Sequence, residues 1–331
     1  MTASAATAED FSAGRERQGW RAAISREEIS DLLRVSNLRG FASVAVNWGI
    51  VFAALAVVAR WPNPLTIPIA LFVIGARQLG LAVLMHDASH RALFRPAPLN
   101  DWVGNWLCAY PVWSNLEGYR HYHLKHHAKT GTLEDPDLAL ILPFPTTRAS
   151  LTRKVLRDLT GRTGLKFAAA SFRRTYYATD DAGRRAFRGV VVTNLVLFAI
   201  IGLTLHPALY LLWVGAWLTT NTLVTRIRSI AEHALTNDAL DPLRNTRTIV
   251  ARWWERLLFA PNRVNFHLEH HLLMTVPHYR LPDLHRLLRE RGVLDEACVE
   301  NSYIDLLRRA SAGNEKPAAR EGVLPARVPP F

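Results

Sequence analysis

Four stretches of this chain, residues 41–59, 65–85, 190–205 and 208–225, are apolar almost without interruption. A helix needs about 17–25 such residues to cross a bilayer, and in hydrocarbon every backbone polar group must be satisfied internally. These runs constrain the fold more than any other feature, and they predict an all-α integral membrane protein with four transmembrane helices. The spans come in pairs. Arg60-Trp61-Pro62-Asn63-Pro64 separates the first two, and little more than His206-Pro207 separates the second two. Proline ends helices, so each pair reads as a hairpin. Two hairpins return the chain to its starting side, where the remaining segments form a helical cap.

Charge sets the orientation. Of 40 Lys and Arg, only Arg60 and Arg77 fall in a short connection or a span. By the positive-inside bias the cap and both termini are cytoplasmic, in a multi-pass membrane protein. The excess over 28 Asp and Glu therefore reflects topology and attraction to anionic lipid; no nucleic-acid motif accompanies it. The two cysteines, Cys108 and Cys298, exclude a disulfide scaffold and a cysteine-rich metal site. No basic stretch followed by an apolar one opens the chain, so no cleaved signal peptide is expected.

Residues 1–20 and 310–331 read as disordered tails flanking one membrane domain over 21–309. Ser25 with Glu28, ahead of Ile29, Leu32 and Leu33, marks a capping-box helix start on the membrane surface. Arg77 should face the bundle interior or snorkel, and Asn47, Asn194 and Asn221 should bond between helices. Trp102, Trp106, Trp113 and Tyr110 suit an interfacial segment.

Of 13 histidines, eight fall in three five-residue windows: His86-Asp87-Ala88-Ser89-His90, His123-Leu124-Lys125-His126-His127 and His267-Leu268-Glu269-His270-His271. Pairs at i, i+4 and triples at i, i+3, i+4 share one helix face, as metal ligation requires. Adjacent His126 and His127 diverge by about 100° on a helix, as do His270 and His271, so one of each pair could serve each of two metals. His86 begins where the second span ends, and all three windows lie on the cytoplasmic side. His233, a couple of turns beyond the fourth span, reaches the same height. Eight or nine imidazoles overshoot a four-ligand zinc site, and imidazole spacing alone leaves iron, copper, nickel and zinc open.

These three windows, with Arg228-Ser229-Ile230-Ala231-Glu232-His233 before the third, Glu134-Asp135-Pro136-Asp137 after the second and Leu281-Pro282-Asp283-Leu284-His285 after the third, resemble the membrane fatty acid desaturases of the di-iron, histidine-box superfamily. The resemblance covers roughly residues 30–300. It implies His86, His90, His123, His126, His127, His233, His267, His270 and His271 as ligands of two iron ions. Asp87, Glu232 and Glu269 adjoin ligands and could orient imidazole N–H groups from outside the ligand set. His121 lies outside the pattern, His206 sits on the wrong side of the membrane, and His278 and His285 read as structural.

The reaction so implied is O2-dependent desaturation of a lipid acyl chain, the di-iron centre acting without a separate acid or base. Its electrons must come from outside, because the sequence shows no iron–sulfur motif, dinucleotide fingerprint or fused heme domain. A ferredoxin or a cytochrome b5-like protein would supply them, drawn to Arg173, Arg174, Arg184, Arg185 and Arg188. Two other readings remain open at this stage. One is a hydroxylase or ketolase of the same superfamily acting on a carotenoid, sterol or sphingoid lipid. The other is a non-catalytic metal-binding membrane protein, for which several ionisable residues inside the spans would be expected.

Overall fold

A computed structural model describes residues 19–177, 180–236 and 238–313, without the side chains of Arg174 and Thr175. Of the two tails read as disordered, 1–18 and 314–331 lie outside the described residues. At their inner edges Trp20 and Ala310 are buried in the protein. The first long element, α1 (Arg26–Leu32), starts at the expected capping box, with Glu28 N–H donating to Ser25 Oγ at 3.1 Å and Ser25 N–H to the Glu28 carboxylate at 2.8 Å. Trp20 and Leu32 pack with Leu268, Leu281, Leu284 and Leu288, tying this N-terminal segment to the C-terminal half of the chain.

Three helices among the described residues are long and apolar enough to cross a membrane: α2 (Asn37–Arg60), α3 (Thr66–Ser89) and the later Asp181–Thr204. Burial separates their roles. In α2 the buried residues Gly40, Val44, Asn47, Val51, Leu55 and Val58 recur every three or four positions, one stripe facing the bundle. Within α3 every residue from Ile74 to Leu81 is buried, and so is every one from Val83 to Ser89. This central helix is walled in by its neighbours, so its apolar sequence shows no amphipathic stripe. Arg77 faces inward, its guanidinium donating to Leu257 O at 2.5 Å.

After α3 come α4 (Leu116–Lys129), the two surface helices α5 (Arg148–Leu159) and α6 (Arg162–Tyr176), and α7 (Asp181–Thr204). The asparagines bond across elements. Asn47 Nδ2 reaches Asn262 Oδ1 at 3.1 Å, Asn194 takes a hydrogen bond from Tyr210 OH at 3.0 Å, and Asn221 Nδ2 donates to Gly75 O at 3.2 Å.

The fourth apolar segment departs from the expectation of one helix over 208–225. It is broken at Thr219 (φ −117, ψ −84) into α8 (Tyr210–Leu218) and α9 (Thr220–His233). The cause is a local competition for backbone acceptors. Thr219 Oγ1 turns back to Gly215 O at 2.6 Å, while Thr220 Oγ1 leaves its own helix to donate to Leu71 O on α3 at 2.6 Å. Close approach makes this possible: a Cβ on Gly75 would overlap the Thr220 hydroxyl and the Asn221 backbone. Beyond the break α9 runs on to end at His233.

The fold is also not purely helical. Thr248–Ile249 and Val299–Glu300 form a two-stranded parallel ladder, with Thr248 opposite Val299. The short helices α10 (His267–Leu272), α11 (Leu281–Glu290) and α12 (Tyr303–Ala310) complete this C-terminal layer.

Candidate metal centre

Each histidine window sits on a helix whose end is fixed locally. His86 closes the last turn of α3, and His90 is the residue that caps it. Asn115 caps α4, accepting from Gly118 N–H at 2.8 Å, and sets the phase of His123, His126 and His127. His233 ends α9, and His267, His270 and His271 occupy the short α10.

These elements bring the nine imidazoles together as two groups. His86, His90, His123, His127 and His270 form one, and His126, His233, His267 and His271 the other; within each, one nitrogen per residue lies within 4.8 Å of all the rest. Neighbours in sequence part company, His126 from His127 and His270 from His271, because successive side chains on a helix diverge by about 100°. The groups abut, with the rings of His127 and His271 stacked at 4.2 Å.

Nitrogen–nitrogen distances inside each group are short. His127 Nε2 lies 3.0 Å from Nε2 of both His123 and His270. In the other group His267 Nε2 is 2.8 Å from His233 Nε2 and 3.1 Å from His271 Nε2. Two imidazoles bound at right angles to one ion, each about 2.1 Å away, would stand about 3.0 Å apart. Nε2 of His86, His90 and His126 is buried with no hydrogen-bond partner. Such nitrogens are costly unless something accepts their lone pairs. Burial first, then the neighbouring imidazoles, holds His123, His270 and His271 well below the ordinary histidine pKa, and the same holds for His233 and His267, where Arg228 adds to the effect. These rings are therefore neutral, the form that ligates a metal. The residues present fit a pair of imidazole-loving transition ions.

Carboxylates surround the rings. Asp135 is the closest, 2.8 Å from His126 Nδ1. Burial works against a charge on His126, but the Asp135 hydrogen bond and the Asp137 charge outweigh it and raise the His126 pKa. Glu232 stands between two partners, 2.6 Å from Arg228 Nε and 3.6 Å from His267 Nε2. Asp87 is 3.4 Å from His86 Nδ1, and its closer partner is His278, which donates from the backbone at 2.9 Å and from Nδ1 at 2.7 Å. Glu269 touches no ring of either group; it pairs with His285 Nδ1 at 2.6 Å and takes a hydrogen bond from Thr248.

His278 and His285 thus buttress carboxylates, while His121 and His206 are exposed. Sequence reasoning gave Asp135 no role, although it follows the second window by eight residues in a recognised stretch. It also passed over Arg228 and Tyr119, which line a cavity of about 160 Å³ together with His86, His123, His126, His233 and His267. Further along, its wall is mostly apolar: Leu79, Val83, Val112, Phe167 and Trp217.

Residues 62–300 match the fatty acid desaturase family. The chain belongs to that family. It is an oxidoreductase, and its apolar helices associate it with a membrane. It is 26% identical over 280 residues to a dihydrorhizobitoxine desaturase of Bradyrhizobium elkanii, covering 78% of each chain. It is 24% identical over 270 residues to an sn-1 oleoyl-lipid 12-desaturase of a Picosynechococcus species, covering 75% of this chain and 76% of the relative. A third desaturase, the sn-1 acyl-lipid omega-3 desaturase (ferredoxin) of a Synechocystis species, aligns over 105 residues at 27% identity, 32% of this chain and 29% of that one. The histidine groups described above fall inside the family match.

Proposed function

We propose that this desaturase is a di-iron, O2-dependent enzyme that introduces a double bond into the acyl chain of a lipid, with electrons from an external carrier. The observation that carries this reading is the sorting of nine imidazoles, seven buried and two partly buried, into two abutting groups, each of which contributes histidines to the wall of one cavity. All nine, His86, His90, His123, His127 and His270 on one side and His126, His233, His267 and His271 on the other, are proposed as the iron ligands. Two irons held there would supply the oxidising power that an unactivated methylene demands and that no acid or base can provide. The balance is two hydrogens from vicinal methylenes, two electrons and two protons consumed with O2, and two waters released.

The chain's own residues prepare the site. Asp135 fixes the ring of His126 through Nδ1 and so aims Nε2 inward. Asp87 plays a related part at His86 Nδ1, whereas Glu232 holds Arg228 and stands 3.6 Å from His267 Nε2, on the side of the ring that faces the histidine group. Glu269 acts one step further out, pinning α10 to α11 through His285. The apolar wall formed by Leu79, Val83, Val112, Phe167 and Trp217 excludes water and receives the methylene chain.

In the membrane, α2 with α3 and α7 with the broken α8–α9 pair are proposed as two hairpins of a four-span domain over residues 21–309. This places the histidine groups and both termini on the cytoplasmic side. Arg173, Arg184, Arg185 and Arg188 are exposed and form the basic surface proposed to meet an acidic ferredoxin or a cytochrome b5-like donor. One relative's name includes ferredoxin, which favours the first.

The test is expression in a lipid-producing host, comparing lipid masses with a His127→Ala control. Histidine-dependent loss of two hydrogens is the expected result. A gained oxygen would point to hydroxylation instead, and a single zinc in the purified protein would overturn the di-iron reading.

A further inference from the structure

Arg228 lies five residues before His233 on α9 and lines the same cavity. Its Nε donates to Glu232 Oε1 at 2.6 Å, and among the described residues no protein acceptor meets its terminal nitrogens. A guanidinium carries five N–H donors in a planar fork, and its terminal edge matches two carboxylate oxygens side by side. The Arg228 side chain is partly exposed to this cavity, so its terminal edge is accessible to a ligand there. Arg226, the other arginine on the wall, is already committed: Nε and Nη2 hold the fully buried Asp158 at 2.5 and 2.9 Å. Tyr119 also lines the cavity, and its hydroxyl makes no hydrogen bond with the described residues.

Position along the cavity gives this arginine a meaning. The Glu232 carboxylate alone spans the gap between Arg228 and His267 Nε2, so the guanidinium stands beside the second histidine group. The apolar residues Leu79, Val83, Val112 and Trp217 line much of the remainder, interspersed with Gln78, Ser114, Asn221 and Thr225. From Gln78 to His86 α3 rises about 12 Å, which sets the reach of the cavity beyond the histidines.

We propose that Arg228 binds a carboxylate on the substrate, so that the chain enters as a free acid with its tail towards Val112 and Trp217. The methylenes nearest the histidine groups then lie within a few bonds of the carboxyl group, and the double bond forms there. Glu232 and Asp137, the two acids on the cavity wall, are engaged by Arg228 and by the Tyr122 hydroxyl. The position of the double bond rests on the desaturase reading above; recognition of the anion does not.

The experiment uses iron-loaded, full-length protein in phosphatidylcholine nanodiscs, with empty discs as the blank. Binding of hexanoate and of 1-hexanol is read by ligand-observed NMR. Hexanoate is expected to bind about tenfold or more tightly than hexanol, the difference a charge-assisted hydrogen bond makes. Arg228→Gln should erase that preference, and so should Arg228→Gln with Glu232→Gln, which leaves no unpaired buried carboxylate if the single variant folds poorly. Equal binding of the two probes by the wild-type protein overturns the proposal, and so does a preference that survives both variants. Iron content, measured on the same samples, judges the di-iron reading separately: hexanoate selectivity without two irons would sink that reading and leave the anion site standing.

Discussion

Asp135 Oδ1 lies 2.8 Å from His126 Nδ1, and both side chains are buried. The same carboxylate is anchored to the turn that follows α4, its Oδ2 accepting from Gly131 N–H at 2.8 Å and its Oδ1 from Asp137 N–H at 2.8 Å. The ring is thus held by a carboxylate that is itself held by backbone. Asp135→Asn weakens the first contact without emptying the space. Iron affinity at the His126 group should fall by about 10–100-fold, the usual cost of losing such a partner. Metal analysis after dialysis against graded chelator checks this, with circular dichroism to show that the fold is kept.

The sorting of neighbouring histidines makes a sharper demand. His270→Ala and His271→Ala alter adjacent residues but should deplete different ions, because the two rings belong to different groups. Each single variant should retain about one iron per chain while activity is lost, whereas His121→Ala, at an exposed position, should keep both metal and activity. Iron stoichiometry with Mössbauer spectra of the two variants would distinguish the remaining sites. Identical spectra would contradict the sorting.

Much of this centre was legible in the sequence because it depends on spacing along helices. His86 with His90, and the i, i+3, i+4 triples, have their phase fixed by helical geometry whatever the helices pack against. What stayed hidden depends on tertiary return. Asp135 reaches His126 only because Gly131 adopts φ +74 and turns the chain back. Glu269 adjoins His270 in sequence, yet the same 100° divergence carries it away towards His285. The break at Thr219 has no proline or glycine beside it; Thr220 bonding to Leu71 on another helix decides it. The ladder at Thr248 and Ile249 is two residues long, too short to leave a pattern.

Packing at that break is tight enough to predict a cost. Gly75→Ala places a methyl where the Thr220 hydroxyl and Asn221 backbone already sit. Overpacking of this kind costs typically about 1–3 kcal/mol. A lowered Tm in detergent is expected, and Gly75→Ala combined with Thr220→Ser should leave the deficit, because the hydroxyl and backbone remain in the way.

The Asp158–Arg226 pair joins the surface helix α5 to α9. Asp158 is fully buried and Arg226 only partly so, which makes the carboxylate the costlier member to strand. Arg226→Met should therefore destabilise by about 3 kcal/mol or more, since it leaves a buried charge unpaired. Asp158→Asn with Arg226→Met should recover most of that loss. Denaturant midpoints of the three variants test the coupling.

Removing metal should make the protein acid-sensitive in a defined direction. In the chelated protein, burial and neighbouring imidazoles hold His123, His233, His267, His270 and His271 neutral, well below their ordinary pKa. The unfolded chain has no such restraint and takes up protons near pH 6.5. Above that pH neither state is protonated and these residues add no pH dependence. Below it the unfolded state binds more protons than the folded one, so stability falls as pH falls, by up to about 1.4 kcal/mol per pH unit for each histidine. His126 opposes the trend, since Asp135 and Asp137 raise its pKa, but one ring does not offset five. Chelated protein should thus lose Tm steeply below about pH 6.5, while iron-loaded protein resists until acid competes the metal off. Parallel pH profiles with and without chelator test this, and superimposable profiles would mean that the imidazoles are not holding metal.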